Sequence, residues 1–364
     1  MLHLMPVTVL TGFLGSGKTT VLARLLKNPA LEKTAIIVNE FGEVGLDHDL
    51  LERSDEDLIL LANGCVCCTV RGDLVEAFHK LERQRTAGNN AAFERVIIET
   101  TGLADPAPIL HTLMTDPFVT AHYRLEQVIT TLDAVNAMAT LDQHDEAIKQ
   151  VAVADRLLLT KTDLAKPAEL QILRQRITAL NPAAPLVTVL NGEVAVENFF
   201  GPVVFDVSSK TDTVQDWLRV EAYETDHAHH ADHHHEHEHE HEHEHEHAAV
   251  DRNRHDDHIS AYAVTREQPI SWVGFSAWLE MISQMRGDDL LRVKGIVNVI
   301  EHPDRPVVIH GVQHLFHPPV FLDQWPSDDH RTRLVFITRD IDREDIDATL
   351  QVFENRKPRP ARPS

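Results

Sequence analysis

Three groups of residues in this 364-residue chain have types and spacings that could do chemistry. The first is "GCVCC", which holds every cysteine of the chain: Cys65, Cys67 and Cys68. A disulfide framework fits poorly, because pairing leaves one thiol over and such close neighbours strain the bridge. Two or three thiolates instead favour Zn²⁺ or another borderline-to-soft ion over Mg²⁺. Inert buried cysteines and a redox dithiol are the alternatives, although the usual redox spacing is C-x-x-C. One or two coordination positions remain for a carboxylate, a histidine or water. Glu40 and Glu43, in the polar loop "VNEFGEVGLD" (38–47), are the candidates.

The second group is a tract in which His227, His229, His230, His233, His234, His235, His237, His239, His241, His243, His245 and His247 alternate largely with Glu. Imidazoles beside carboxylates make many overlapping weak sites for Zn²⁺, Ni²⁺, Cu²⁺ or Co²⁺. Such a store raises the local metal concentration and releases it as pH falls through about 6.5. A solubilising spacer that binds metal incidentally is the plainer alternative.

The third group is "GFLGSGKT", Gly12 to Thr19, which fits G-x-x-x-x-G-K-[ST] between an apolar strand and a helical pattern. Gly12, Gly15 and Gly17 let the backbone curl so that the N–H groups of this loop, including Ser16 and Thr20 at its end, face phosphate oxygens. The helix that follows adds its positive end. Lys18 is expected on the β- and γ-phosphates and Thr19 on Mg²⁺. In "VIIETTG" (96–102), Glu99 ends a strand where such proteins carry the acid of the Mg²⁺ shell, and Gly102 can sense the γ-phosphate. In "LLLTKTDL", Thr160, Lys161 and Asp163 come close to the N-K-x-D signature of GTPases. A carboxylate at Asp163 accepts from guanine N1–H and its amine and rejects adenine. Thr160 stands where the signature has Asn, which puts one loop-bracing hydrogen bond in doubt.

These residues require a frame. Seven short apolar runs cross the first 210 residues: "VTVL" (7–10), "AIIV" (35–38), "LILL" (58–61), "VIIE" (96–99), "VITTL" (128–132), "LLLT" (157–160) and "LVTV" (186–189). Most are separated by helical patterns such as Val21, Leu22, Leu25 and Leu26. The alternation predicts an α/β fold with a mostly parallel sheet, ligand loops lying at one end of it. The reading divides the chain into a P-loop domain (1–220), a His/Glu-rich flexible linker (221–258), a small α+β domain (259–354) and a frayed tail (355–364). "WVGFSAWLEMISQM" and "REDIDATLQVFEN" read as helices of the last domain; "ISAYAV", "LLRVKGIVNVI", "PVVIHGV" and "RLVFITR" read as its strands. His302, His310, His314 and His317 have no ligand spacing and read as surface or structural.

Composition narrows the function. The net charge is −23, and residues 221–258 hold 13 Asp/Glu against 2 Arg. Neither that segment nor the rest offers the clustered cations of a nucleic-acid-binding surface. No apolar run approaches a membrane span. The apolar N-terminus lacks a basic leader and reads as a strand, so a cytoplasmic protein with reduced thiols is expected.

In order, "GFLGSGKTT", "NEFGEVGLD", "GCVCC", "ETTGLADP" and "TKTD" make the chain resemble the CobW family of metal-handling GTPases, and "GDDLLRVKGI" (287–296) extends the resemblance to the C-terminal domain. The resemblance implies a GTP hydrolase, with GTP, Mg²⁺ and Zn²⁺ (alternatively Co²⁺); slow turnover is expected because no arginine finger is evident in cis and no glutamine directly follows "ETTG". It would hold metal at the cysteines and release it on hydrolysis to a client metalloprotein or metal-inserting complex; a homo-oligomeric state is compatible with this. Cobalt handling for cobalamin synthesis and a passive His-rich store with a regulatory GTPase are the rival readings. The C-terminal domain is assigned to client recognition or to transmitting the GTP state.

Overall fold

The computed structural model describes residues 4–39, 58–61, 70–86, 93–200 and 258–354. Among these, seven strands form one sheet: β1 (Met5–Gly12), β2 (Thr34–Asn39), β3 (Leu58–Leu61), β4 (Arg95–Glu99), β5 (Tyr123–Asp133), β6 (Arg156–Thr160) and β7 (Leu186–Val189). Their order is β3-β2-β4-β1-β5-β6-β7, and every pairing is parallel, so the expected mostly parallel sheet is parallel throughout. Parallel strands need crossovers, and the helical patterns supply them: α1 (Lys18–Leu25), α2 (Val70–Thr86), α3 (Ala107–Thr115), α4 (Pro117–His122), α5 (Ala137–Gln143), α6 (Asp145–Ala152), α7 (Pro167–Leu180) and α8 (Val196–Phe200). Alternate strand residues feed opposite layers. Leu157 and Leu159 pack with Ile148, Val151, Leu173 and Ile177, whereas Leu158 packs with Val21, Leu22 and Phe199. Burial on both faces is why these strands read as continuous apolar runs.

A second, antiparallel sheet follows: β8 (Ile259–Arg266), β9 (Arg292–Val297), β10 (Val307–Val312), β11 (Leu315–Phe316), β12 (Val320–Phe321) and β13 (Thr332–Arg339). Its order is β11-β10-β9-β13-β8, with β12 also on β10. One face is covered by α9 (Trp272–Arg286) and α10 (Arg343–Glu354), with Trp278, Phe275, Ile346 and Leu350 against Val293, Ile309 and Phe336. The other face meets the first domain: Ile296, Val308, Val335 and Trp325 share a core with Ala152 and Ala183. Arg292 donates to the Val153 carbonyl and to the Asp155 carboxylate, and Lys294 Nζ lies 2.7 Å from the same carboxylate. Among the described residues no helix is long and apolar enough to cross a membrane.

Candidate functional site: a phosphate loop at the head of the parallel sheet

Strand β1 lies between β4 and β5, and the loop leaving it curls over the strand ends before starting α1. Gly12, Gly15 and Gly17 all have positive φ, as the curled path demands. At Gly12 the constraint is also steric, because a Cβ would stand 2.3 Å from Thr131 Oγ1. Ser16 is buried, and its hydroxyl pairs with Thr131 Oγ1 at 2.6 Å. Lys18 is buried and folds back along the loop, donating to the carbonyls of Gly12 (2.6 Å) and Phe13 (3.2 Å). Those carbonyls hold the ammonium beside the loop, where an entering phosphate can compete for it.

Thr19 Oγ1 donates to Glu99 Oε1 at 2.6 Å across the loop, and Glu99 is 5% exposed. A hydroxyl and a buried carboxylate in contact beside a phosphate loop are hard oxygen donors of the kind Mg²⁺ takes, so the residues fit that ion. Gly102 packs directly on the loop: a Cβ there would lie 2.6 Å from Leu14 N. Thr20 is exposed one position beyond Thr19 and borders Gly192 in the loop after β7.

The end of β6 is tied to the same loop. Thr160 Oγ1 contacts the carbonyls of Ser16 (2.8 Å) and Leu132 (3.0 Å), so Thr braces the phosphate loop despite standing in place of Asn. Lys161 takes a left-handed φ of 54°, unusual for a long side chain. Its Nζ lies 2.8 Å from both Gly15 O and Asp133 Oδ2. Burial opposes charge on Asp133, but bonds from Lys161, Asn136 and the Val135 N–H outweigh it and hold the carboxyl below its ordinary range. Asp163 is exposed, where a base can reach it.

Several residues of this region carry no motif. Thr131 and Asp133 end the apolar run of β5, and a polar residue at a parallel strand's C-terminal end is the signal that could have found them. Gln150 lies on the buried side of α6 among Ala147 and Val151, a polar residue on an apolar helical face. Its Nε2 donates to Ala104 O (3.0 Å) and Gly102 O (3.4 Å).

Cys65, Cys67, Cys68, Glu40, Glu43 and His227 through His247 lie outside the described residues. The four C-terminal histidines do not converge on a metal: among the described residues no group of three or more His, Cys, Asp or Glu could hold one. His302 and His314 are exposed. His310 and His317 stack with ring centroids 5.6 Å apart beside the domain junction. Burial lowers both, His310 well below its ordinary value and His317 to about 4.

A family model described as CobW/HypB/UreG, nucleotide-binding domain, matches residues 6–188, and a cobalamin synthesis protein cobW C-terminal domain model matches 259–354. The zinc chaperone YjiA of Escherichia coli (strain K12) is 32% identical over 344 residues, covering 94% of this chain and 97% of that protein. The zinc chaperone CobW of Pseudomonas aeruginosa is 30% identical over 376 residues, covering 94% and 89%. The crystal structure of Zn(II)-bound YjiA GTPase from E. coli superimposes with a TM-score of 0.66 at 28% identity, covering 98% of this chain and all of that one.

Proposed function

The chain belongs to the CobW/HypB/UreG family of nucleotide-binding proteins, and on that premise we propose that it is a GTP hydrolase acting as a zinc metallochaperone. One observation carries the nucleotide half: Lys18, the Thr19–Glu99 pair and Lys161 all converge on the loop after β1. The backbone N–H groups of Gly12 to Thr20 and the start of α1 receive the phosphates. Lys18 exchanges its carbonyl partners for the β- and γ-phosphates. Thr19 and Glu99 would hold Mg²⁺, which neutralises charge developing on the transferred phosphoryl group. Gly102 faces the γ-phosphate from the turn packed on Leu14. Asp163 selects guanine, and Lys161, steadied by Asp133, flanks the base.

Zinc is the cargo. Cys65, Cys67 and Cys68 hold it, with Glu40 or Glu43 completing the shell, and the His227–His247 tract concentrates it nearby. GTP binding tightens the site; hydrolysis loosens it and passes zinc to a client metalloprotein. The working units are a GTPase domain (1–220), a metal-gathering linker (221–258) and a client- or state-reading domain (259–354) before a tail (355–364). Cysteine thiolates suit the reducing cytoplasm.

The test is a competition titration of Zn²⁺ on protein lacking 227–247, run without nucleotide, with Mg²⁺–GDP and with a non-hydrolysable Mg²⁺–GTP analogue. A tenfold or greater gain with the analogue, absent when the three cysteines are changed to Ser, is expected. Equal affinity in all three states would refute nucleotide-gated delivery.

A further inference from the structure

We propose that Gln150 is a positioning residue for the turn at 100–105 that faces the γ-phosphate, and that the second domain sets this turn through helix α6. The inference rests on reading Gly12–Thr19 and Glu99–Gly102 as a GTP site.

Three contacts from α6 hold the turn. Gln150, 1% exposed, donates its amide to the carbonyls of Ala104 and Gly102. Lys149 Nζ lies 2.7 Å from Asp105 Oδ2. The other oxygen of Asp105 accepts from the Ala107 N–H at 2.9 Å and caps the first turn of α3. The helix itself is pinned to the sheet, because Thr130 Oγ1 donates to the Gln150 carbonyl at 2.6 Å. The contact is retained at a cost. Gln150 Oε1 is buried and meets no donor among the described residues, whereas an apolar side chain of similar volume would fill the space without an unpaired acceptor. Packing alone does not call for an amide here; two carbonyls of the phosphate-facing turn do.

The second domain grips the same helix at both ends. Arg339 faces Asp145 in its first turn at 3.4 Å. Just beyond its last residue, Arg292 donates to Val153 O and to Asp155, while Ala152 enters the core formed by Ile296, Val308 and Val335. On the far side of the turn, α3 shares its core with Val312 of β10. The turn is therefore suspended between two helices that both sit on the second sheet. It lies close against the phosphate loop, since a Cβ on Gly102 would stand 2.6 Å from Leu14 N. A change in how the second domain seats on α6 must move the turn against the phosphate loop. By linkage, whatever binds the second domain in one seating also shifts affinity for the γ-phosphate, and nucleotide shifts affinity for that partner by the same factor.

The experiment measures the ratio of affinities for GDP and for a non-hydrolysable GTP analogue on the full chain, for wild type, Gln150→Met, Arg292→Met and the double variant. Both single variants are expected to lose at least fivefold of the preference between the two nucleotides while keeping GDP affinity within twofold. The double variant is expected to lose no more than the worse single one, as residues on one path do. Lys149→Met, on the less buried side of the same contact, carries the test if Gln150→Met does not fold. An unchanged ratio in folded variants overturns the proposal, as do additive losses. If wild type itself binds neither nucleotide, the GTP reading and this inference fall together; if it discriminates and the variants keep that discrimination, only this inference falls.

Discussion

Two groups of buried polar side chains, one in each sheet, are built differently. In the parallel sheet one such set stands at or just beyond the C-terminal strand ends: Thr11, Ser16, Lys18, Glu99, Thr131, Asp133 and Thr160. Most are short, and several bond to loop carbonyls or to one another around the phosphate loop. In the antiparallel sheet, Arg292, Lys294 and Arg333 are long, cationic and buried within the strands. Arg292 and Lys294 meet a protein carboxylate, Asp155, whose second oxygen accepts from the Val128 N–H at 2.9 Å. Burial opposes charge on Asp155, yet the two cations hold it well below the usual carboxylate range; burial and Arg292 push Lys294 down to about 8. The first set has partners that a ligand can replace. The second is committed to a fixed neighbour. Similar burial thus accompanies exchangeable partners around the phosphate loop of one sheet and a fixed ion-paired joint in the other.

That contrast can be broken most severely at the joint. Asp155→Ala leaves Arg292 and Lys294 buried without their counter-ion and should cost about 3–5 kcal/mol in urea unfolding. Lys18→Ala should instead leave the unfolding midpoint nearly unchanged and lower GTP turnover by about 100-fold, read by phosphate release. If Lys18→Ala destabilised as much as Asp155→Ala, the distinction between exchangeable and committed partners would be wrong. Thr160→Val sharpens the middle ground. It removes the donor to Ser16 O and should cost about 1–3 kcal/mol together with weaker nucleotide binding, checked by calorimetry of both.

Acid probes the joint more gently. The native state keeps His317 unprotonated down to about pH 4, while the unfolded chain takes up that proton near 6.5. The unfolded state therefore binds more protons in this window, and stability should fall as pH drops from about 6.5 to 4, on the order of 3 kcal/mol from this residue. His317→Gln should flatten that slope in denaturation curves; a slope of unchanged steepness would clear His317 of the effect. The smallest change is expected from Arg339→Ala, whose partner Asp145 is exposed, at under about 1 kcal/mol by the same assay.

All seven parallel strands were legible because each holds a short apolar run, most of them separated by helical patterns, and the phosphate loop because glycine spacing and a lysine report backbone curvature and charge together. The joint was not legible. Asp155 precedes a strand, where any turn would also be polar, and Arg292 and Lys294 sit in "RVKGIV" like the outward residues of a half-exposed strand. Only their burial against the other domain distinguishes them. The two-residue strands β11 and β12 are too short to carry a pattern. Gln150 was missed because its partners are backbone carbonyls, which leave no trace in residue type. Thr160 was read as a weakened position because the bond it makes depends on where the phosphate loop lies.

Strand β6 joins these two worlds as a ruler. Asp155 stands immediately before its first residue and Lys161 immediately after its last. Five extended residues between them, six steps of the chain, fix their distance at roughly 20 Å. Deleting or adding one residue within Arg156–Thr160 turns every following side chain to the opposite face. The error must appear at one end or the other: either the aspartate misses its arginine or the lysine misses its loop. A stretch of leucines with no chemistry of its own is therefore the least forgiving place in the domain for an insertion or deletion.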